Sequence, residues 1–133
     1  MSLPNYAPFP GDVLICDFDL GGFTPPEMVK KRPVVVVSCR HSHTRRLCTV
    51  VPISTTEPTP KHAWHHCMPH LVVMGWTANA PMWAKGDMVA TVAYDRLNKP
   101  YKKTSVGRQY ITLRLDEADL EAVRAGLRAY MEL

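Results

Sequence analysis

Short apolar runs broken by polar, glycine and proline positions fill the first hundred residues, and helical spacing takes over only at the end of the chain. Val13-Leu-Ile-Cys16, bounded by Gly11-Asp12 and Asp17, reads as a strand covered on both faces. Pro33-Val-Val-Val-Val-Ser38 is β-branched and too short for a helix, so it predicts a second strand buried on both sides. Residues 40–46 read as a polar hairpin connection into a third strand over 47–53, which a loop over 54–60 follows. Residues 20–26, rich in glycine and proline, read as a mobile loop. Further strands are predicted over 70–75, 88–94 and 110–113. Beyond Asp116, a capping residue with Asp119 three positions on, Leu120, Val123, Leu127 and Met131 recur at helical spacing, and Gly126 weakens the helix slightly. The whole pattern predicts a mainly β chain with a C-terminal helix, a small antiparallel barrel closed by that helix.

A length of 133 residues places the whole chain, 1–133, in one domain and excludes barrel enzymes and two-domain dinucleotide binders. Hydrophobic residues at 46% supply a real core without disulfides or metal. The 12 prolines all lie at or before Pro100, which confines any long helix to the tail. The four cysteines show no C-x-x-C spacing and read as reduced. No leader pattern and no membrane-length apolar stretch is visible, so the expectation is a cytoplasmic protein without a membrane partner.

Charge changes the picture further. The net charge is +4, with 14 Lys/Arg against 7 Asp/Glu over residues 1–115 and the reverse bias in the tail. Six cations and no acid fall within residues 28–50, and five more with none run from Arg96 to Arg108. Such stripes suit a polyanion, and equally suit the solvated loops of a mildly basic protein.

Arg32 precedes Pro33, which restricts it to an extended conformation and fixes where its side chain leaves the sheet. Its planar fork is suited to clamping a phosphate, although a lone strand-end arginine is more often a surface charge. Ser54-Thr55-Thr56 follows the strand that the hairpin would lay beside the valine strand, so its hydroxyls can donate to phosphate oxygens or cap their own turn. Glu27, five residues before Arg32, is a carboxylate among cations or a simple partner of Lys30 or Lys31. The six histidines fall in polar or proline-flanked loops without two well-spaced ligand couples, which argues against a metal site. No local signature supports a Cys-His nucleophile pair.

In this order, Gly11-Asp12-Val-Leu-Ile-Cys-Asp17-Phe18, a loop with Glu27, Lys31-Arg32-Pro33-Val-Val-Val-Val-Ser38 and Val51-Pro52-Ile53-Ser54-Thr55 resemble the MazF/PemK family of toxin endoribonucleases. Lys85-Gly-Asp87-Met-Val89 and the acidic terminal helix extend the likeness more loosely towards the end. The resemblance implies an SH3-like barrel of the MazF/PemK/CcdB type, a homodimer, metal-independent and cofactor-free cleavage of single-stranded RNA, and a cognate antitoxin. It places the catalytic arginine at Arg32, the hydroxyl at Ser54 with Thr55 beside it, and the loop glutamate at Glu27. Some members add an aspartate on the later strand with an arginine two residues before it; those places hold Asp87 and Lys85 here. Lys30, Lys31, Arg40 and Lys85 are then the cations expected on the RNA. Serine for threonine, lysine for arginine, and an insert over 58–81 with Trp64 and Trp76, followed by Trp83, depart from the family pattern. A non-catalytic nucleic-acid binder, or a protein-directed module resembling the gyrase-poisoning CcdB, is the alternative on the same fold.

Overall fold

The structure is a computed structural model, and it describes residues 7–22, 25, 30–39, 45–73 and 81–133. Its strands are β1 (Val13–Asp17), β2 (Lys31–Val36), β3 (Leu47–Ser54), β4 (His65–Met68), β5 (Met82–Lys85), β6 (Ala90–Ala93), β7 (Leu97–Asn98), β8 (Tyr101–Thr104) and β9 (Gly107–Tyr110), followed by helix α1 (Glu117–Met131). Every ladder is antiparallel. The main sheet runs β4-β5-β3-β2-β1-β7, with β6 also pairing on β3, and β8 and β9 form a separate hairpin.

The length of β3 explains this arrangement. Its first half, Leu47 to Val50, pairs with β6, while its last two residues, Ile53 and Ser54, pair with β5. A short 3-10 turn, Gly86–Met88, takes up the extra residues between those two partners. Edge strands β6 and β7 are joined by a second 3-10 turn, Tyr94–Arg96, so β7-β1-β2-β3-β6 curls round a core of Leu14, Cys16, Phe18, Val34, Val36, Cys48, Val50, Val92, Tyr94 and Leu97. Among the described residues no ladder pairs β6 with β7, so the expected SH3-like barrel is open there and spanned by the turn.

Side chains alternate across a strand, so the odd-numbered residues of β1, β2 and β3 face the other way. Val13, Val35, Val51 and Ile53 pack there with Met68, Val73, Met82 and Ala84, and α1 contributes Val123 to this second core. The helix begins where the sequence places it, with the Asp116 carboxylate accepting from the Asp119 amide at 2.7 Å. The Asp119 side chain, expected to reach back to the cap, instead meets His66 Nε2 at 2.8 Å and ties α1 to β4. Gly126 is set by close approach rather than by loss of helix preference: a β-carbon there would lie 3.1 Å from Trp64 Cα.

Three predicted strands shift. Residues 70–73 form a turn and an irregular segment, because only Val73 of that run is buried at full depth while Val72 lies 61% exposed; residues 74 and 75 lie outside the described residues. The strand in this region is β4, with the polar-looking sequence His-His-Cys-Met. The run over 88–94 pairs only from Ala90, since the turn at Gly86–Met88 occupies its start. The run over 110–113 belongs to β9 only at Tyr110; beyond it the chain leaves the hairpin to lie beside β1, where Val13 N–H donates to the Leu113 carbonyl at 2.8 Å.

Candidate functional site

Register places the site. Val34 pairs with Pro52, and continuing that antiparallel register by two residues sets Arg32 opposite Ser54. Ser54 in turn pairs with Trp83, and Arg32 with Cys16. Arg32, Ser54, Cys16 and Trp83 therefore share one face of the sheet, the face that encloses the first core, at the end where that core stops. Lys85 lies on the same face one diagonal step from Ser54, with His65 directly across from it on β4.

Arg32 is half-buried, and its Nε is fully buried without a hydrogen-bond partner among the described residues. An orphaned guanidinium N–H costs free energy until an acceptor arrives, so this N–H is able to donate to an anion. Beside it, Ser54 is 6% exposed, and its Oγ accepts from the Thr56 amide at 3.0 Å. That bond uses a lone pair and leaves the hydroxyl proton available to a phosphate oxygen. The turn-capping reading of the serine is what the contact shows, and it does not consume the hydroxyl proton. Thr55 follows in the bend, partly exposed.

Asp87 sits in the 3-10 turn after β5, and its Oδ1 is buried without a hydrogen bond among the described residues. His65 Nε2 faces that oxygen at 3.6 Å. Burial pushes the His65 pKa down, with His62 and Lys85 adding to the effect and Asp87 opposing it. The neutral ring dominates at pH 7. The sequence offers His65, with His66 and Cys67, only as a metal candidate in a loop or as a base or stacking group near RNA, because it does not predict β4; the signal for the strand is the adjacent His65-His66 pair, whose members face opposite sides of it.

Not all expected residues gather here. Lys31 neighbours Arg32 in sequence but points to the opposite face, where it pairs with Asp17 across the ladder. It lines a cavity of about 620 Å³ together with Ile15, Tyr101, Lys102 and Lys103, between the sheet edge and the β8–β9 hairpin. The second basic stripe of the sequence thus surrounds one cavity, with the Arg108 guanidinium 4.3 Å from the Tyr101 ring centre. Lys30 is exposed in the bend before β2. Glu27 and Arg40 lie outside the described residues.

The aromatic insert has a packing role where it is described. Trp64 stacks on His62 at 4.4 Å and meets Tyr130 of α1 edge-on at 5.3 Å. Trp83 is 9% exposed, with the Lys61 ammonium 5.2 Å from its ring centre. Trp76 lies outside the described residues. Burial pushes the thiols of Cys16 and Cys48 up to about 12, Cys16 despite the Arg96 charge, so neither is a thiolate nucleophile at neutral pH.

YifN of Escherichia coli (strain K12) is 31% identical over 113 residues, which covers 71% of this chain and 74% of that protein. Among solved structures, MazF from Deinococcus radiodurans superposes with a TM-score of 0.69 at 14% identity, covering 97% of this chain and all of that one. An endoribonuclease in complex with its cognate antitoxin, from a mycobacterial species, superposes at 0.61 with 19% identity, covering 96% of this chain and 97% of that one. At such identities the superpositions establish the fold. A family model matches residues 9–131, from the lead-in to β1 through the last residue of α1, and the chain belongs to the PemK-like, MazF-like toxins of type II toxin-antitoxin systems.

Proposed function

We propose that the chain is a metal-independent endoribonuclease that cleaves single-stranded RNA in a sequence-selective manner. The observation that carries this reading is the buried Nε of Arg32, without a hydrogen-bond partner among the described residues, on the face it shares with Ser54. The substrate's own 2′-hydroxyl is the nucleophile, so the protein needs a base, a cationic donor for the developing phosphorane charge and a group that fixes the phosphate. Arg32 supplies the charge, and Ser54, with Thr55 beside it, orients a phosphate oxygen. Asp87 or Glu27 is the carboxylate that takes the 2′-proton. The 2′-oxygen bonds to phosphorus, the bond to the 5′-oxygen breaks, and the leaving oxygen keeps the electron pair and takes a proton from solvent.

The partners follow from the same reading. Lys85 on the site face, and Lys31 with Lys102 and Lys103 round the cavity, offer cations to a chain of phosphates. Lys30 and Arg40 extend the same basic stripe in sequence. MazF of Deinococcus radiodurans is found with MazE, and the mycobacterial endoribonuclease with its cognate antitoxin; we extend an antitoxin partner, and a homodimeric state, to this chain.

The test is incubation of a long single-stranded RNA with the purified protein in EDTA. Discrete fragments ending in a 2′,3′-cyclic phosphate, with 5′-hydroxyl partners, are the expected result. Intact RNA, or fragments only when a divalent ion is restored, would reject the reading and favour the non-catalytic module.

A further inference from the structure

We infer that His65 is the positioning residue of the site, holding Asp87 by one oxygen so that the other serves as the base for the RNA 2′-hydroxyl. This rests on the cleavage reading above, and it chooses between the two carboxylates that reading leaves open.

The ring's proton is placed by its neighbours. The His62 amide donates to His65 Nδ1 at 2.9 Å, so that nitrogen is an acceptor and the single proton of the neutral ring sits on Nε2. Nε2 is the atom facing Asp87 Oδ1 at 3.6 Å. The His65 side chain is 7% exposed, so it is shut away from any large substrate. It acts through Asp87 rather than on RNA.

Asp87 is divided by its surroundings. Its side chain is 36% exposed while Oδ1 is buried, so the exposure lies on Oδ2 and the methylene. A buried carboxylate oxygen without a hydrogen bond is costly, and the Nε2–H of His65 is the donor aimed at it. Closing the present 3.6 Å gap to hydrogen-bond length takes a movement of roughly 1 Å. With Oδ1 held, Oδ2 is left to take the 2′-proton as the 2′-oxygen bonds to phosphorus and the 5′-oxygen departs.

The arrangement also fixes a protonation state. A second proton on His65 would have to enter at Nδ1, against the His62 N–H, and would break the anchor that aims the ring. The charged groups facing His65 act in both directions: Lys85 and the ring of His62 oppose its protonation, and Asp87 favours it. Burial outweighs Asp87, so the neutral, correctly aimed form persists through pH 7 and is lost only on acidification.

The test uses the full chain with His65→Ala, His65→Gln and Asp87→Asn, each checked by its thermal melt. On RNA that the wild type cuts, His65→Ala is expected to lower kcat about tenfold to a hundredfold with KM within about twofold. His65→Gln, whose amide N–H reaches the same carboxylate, is expected to recover most of that loss and to cut with less dependence on pH between about 5 and 7. A kcat untouched in His65→Ala, or a loss that a normally folded His65→Gln fails to recover, overturns the role. Ring-nitrogen NMR reads the pair without RNA: His65 is expected in the Nε2–H form, titrating below the ordinary value of about 6.5, and lower still in Asp87→Asn. A proton on Nδ1, or a titration unmoved by Asp87→Asn, overturns the pairing itself. A wild type that shows both signatures yet cuts no RNA overturns the cleavage reading and the base role with it, while supporting the pairing.

Discussion

Arg32→Ala is expected to lower the rate of RNA cleavage by about 10²–10³-fold, the usual cost of removing one donor aimed at a charge that develops in the transition state. The same change is expected to leave the melting temperature equal or slightly raised. Arg32 Nε is buried without an acceptor among the described residues, so truncation removes an unsatisfied donor. The core beneath it, Val34, Cys16 and Leu97, is untouched. Activity and stability should therefore move independently, as expected of a residue kept for chemistry at some cost to folding. Rates and melts measured side by side check this: wild-type cleavage by a folded Arg32→Ala chain would remove Arg32 from the mechanism.

Replacing the single 2′-hydroxyl at the cut site by hydrogen is expected to abolish cleavage at that position altogether, while neighbouring cut sites in the same RNA continue to react. Neither Cys16 nor Ser54, the two nucleophile types nearest Arg32 across the ladders, is activated. The Cys16 thiol opposite Arg32 is held protonated by burial, and Ser54 Oγ has no imidazole among its hydrogen-bond partners. In the proposed mechanism the substrate brings the attacking oxygen, and its loss removes the nucleophile. Cleavage of the substituted RNA at the same bond, followed on a sequencing gel, would mean a protein or water nucleophile and would discard the cyclic-phosphate route.

How far the sequence reveals this site depends on which contacts are local. The valine run and the strand ending at Ser54 bring Arg32 and Ser54 together through one antiparallel pair, which pattern and proline geometry make readable, while residues 40–44 of the predicted hairpin connection lie outside the described residues. The Asp116 cap is likewise a matter of three successive residues. Lys31 shows where linear reading fails. It stands beside Arg32 in the basic stripe, yet the two-residue period of a strand sends it to the cavity on the opposite face. His65 fails for a different reason. Its strand has no apolar alternation of its own and exists only because β5 lies beside it, in a pairing across roughly twenty residues of sequence that no local signal specifies. Gly126 looked like a weak spot in a helix and is the point where α1 meets Trp64.

The most direct measurement is on the Arg32 side chain itself. In nitrogen-15-labelled protein the Arg32 Nε–H gives a resolvable resonance, and an RNA carrying the single 2′-deoxy substitution at its cut site supplies a bound but uncut ligand. The account predicts that this resonance moves strongly downfield at saturation, as a charge-assisted hydrogen bond to phosphate forms, and that a Ser54→Ala chain shows a smaller movement. An Arg32 Nε–H unchanged while lysines round the β8–β9 cavity respond would show that the anion binds elsewhere, and would contradict the assignment of this face as the cleavage site.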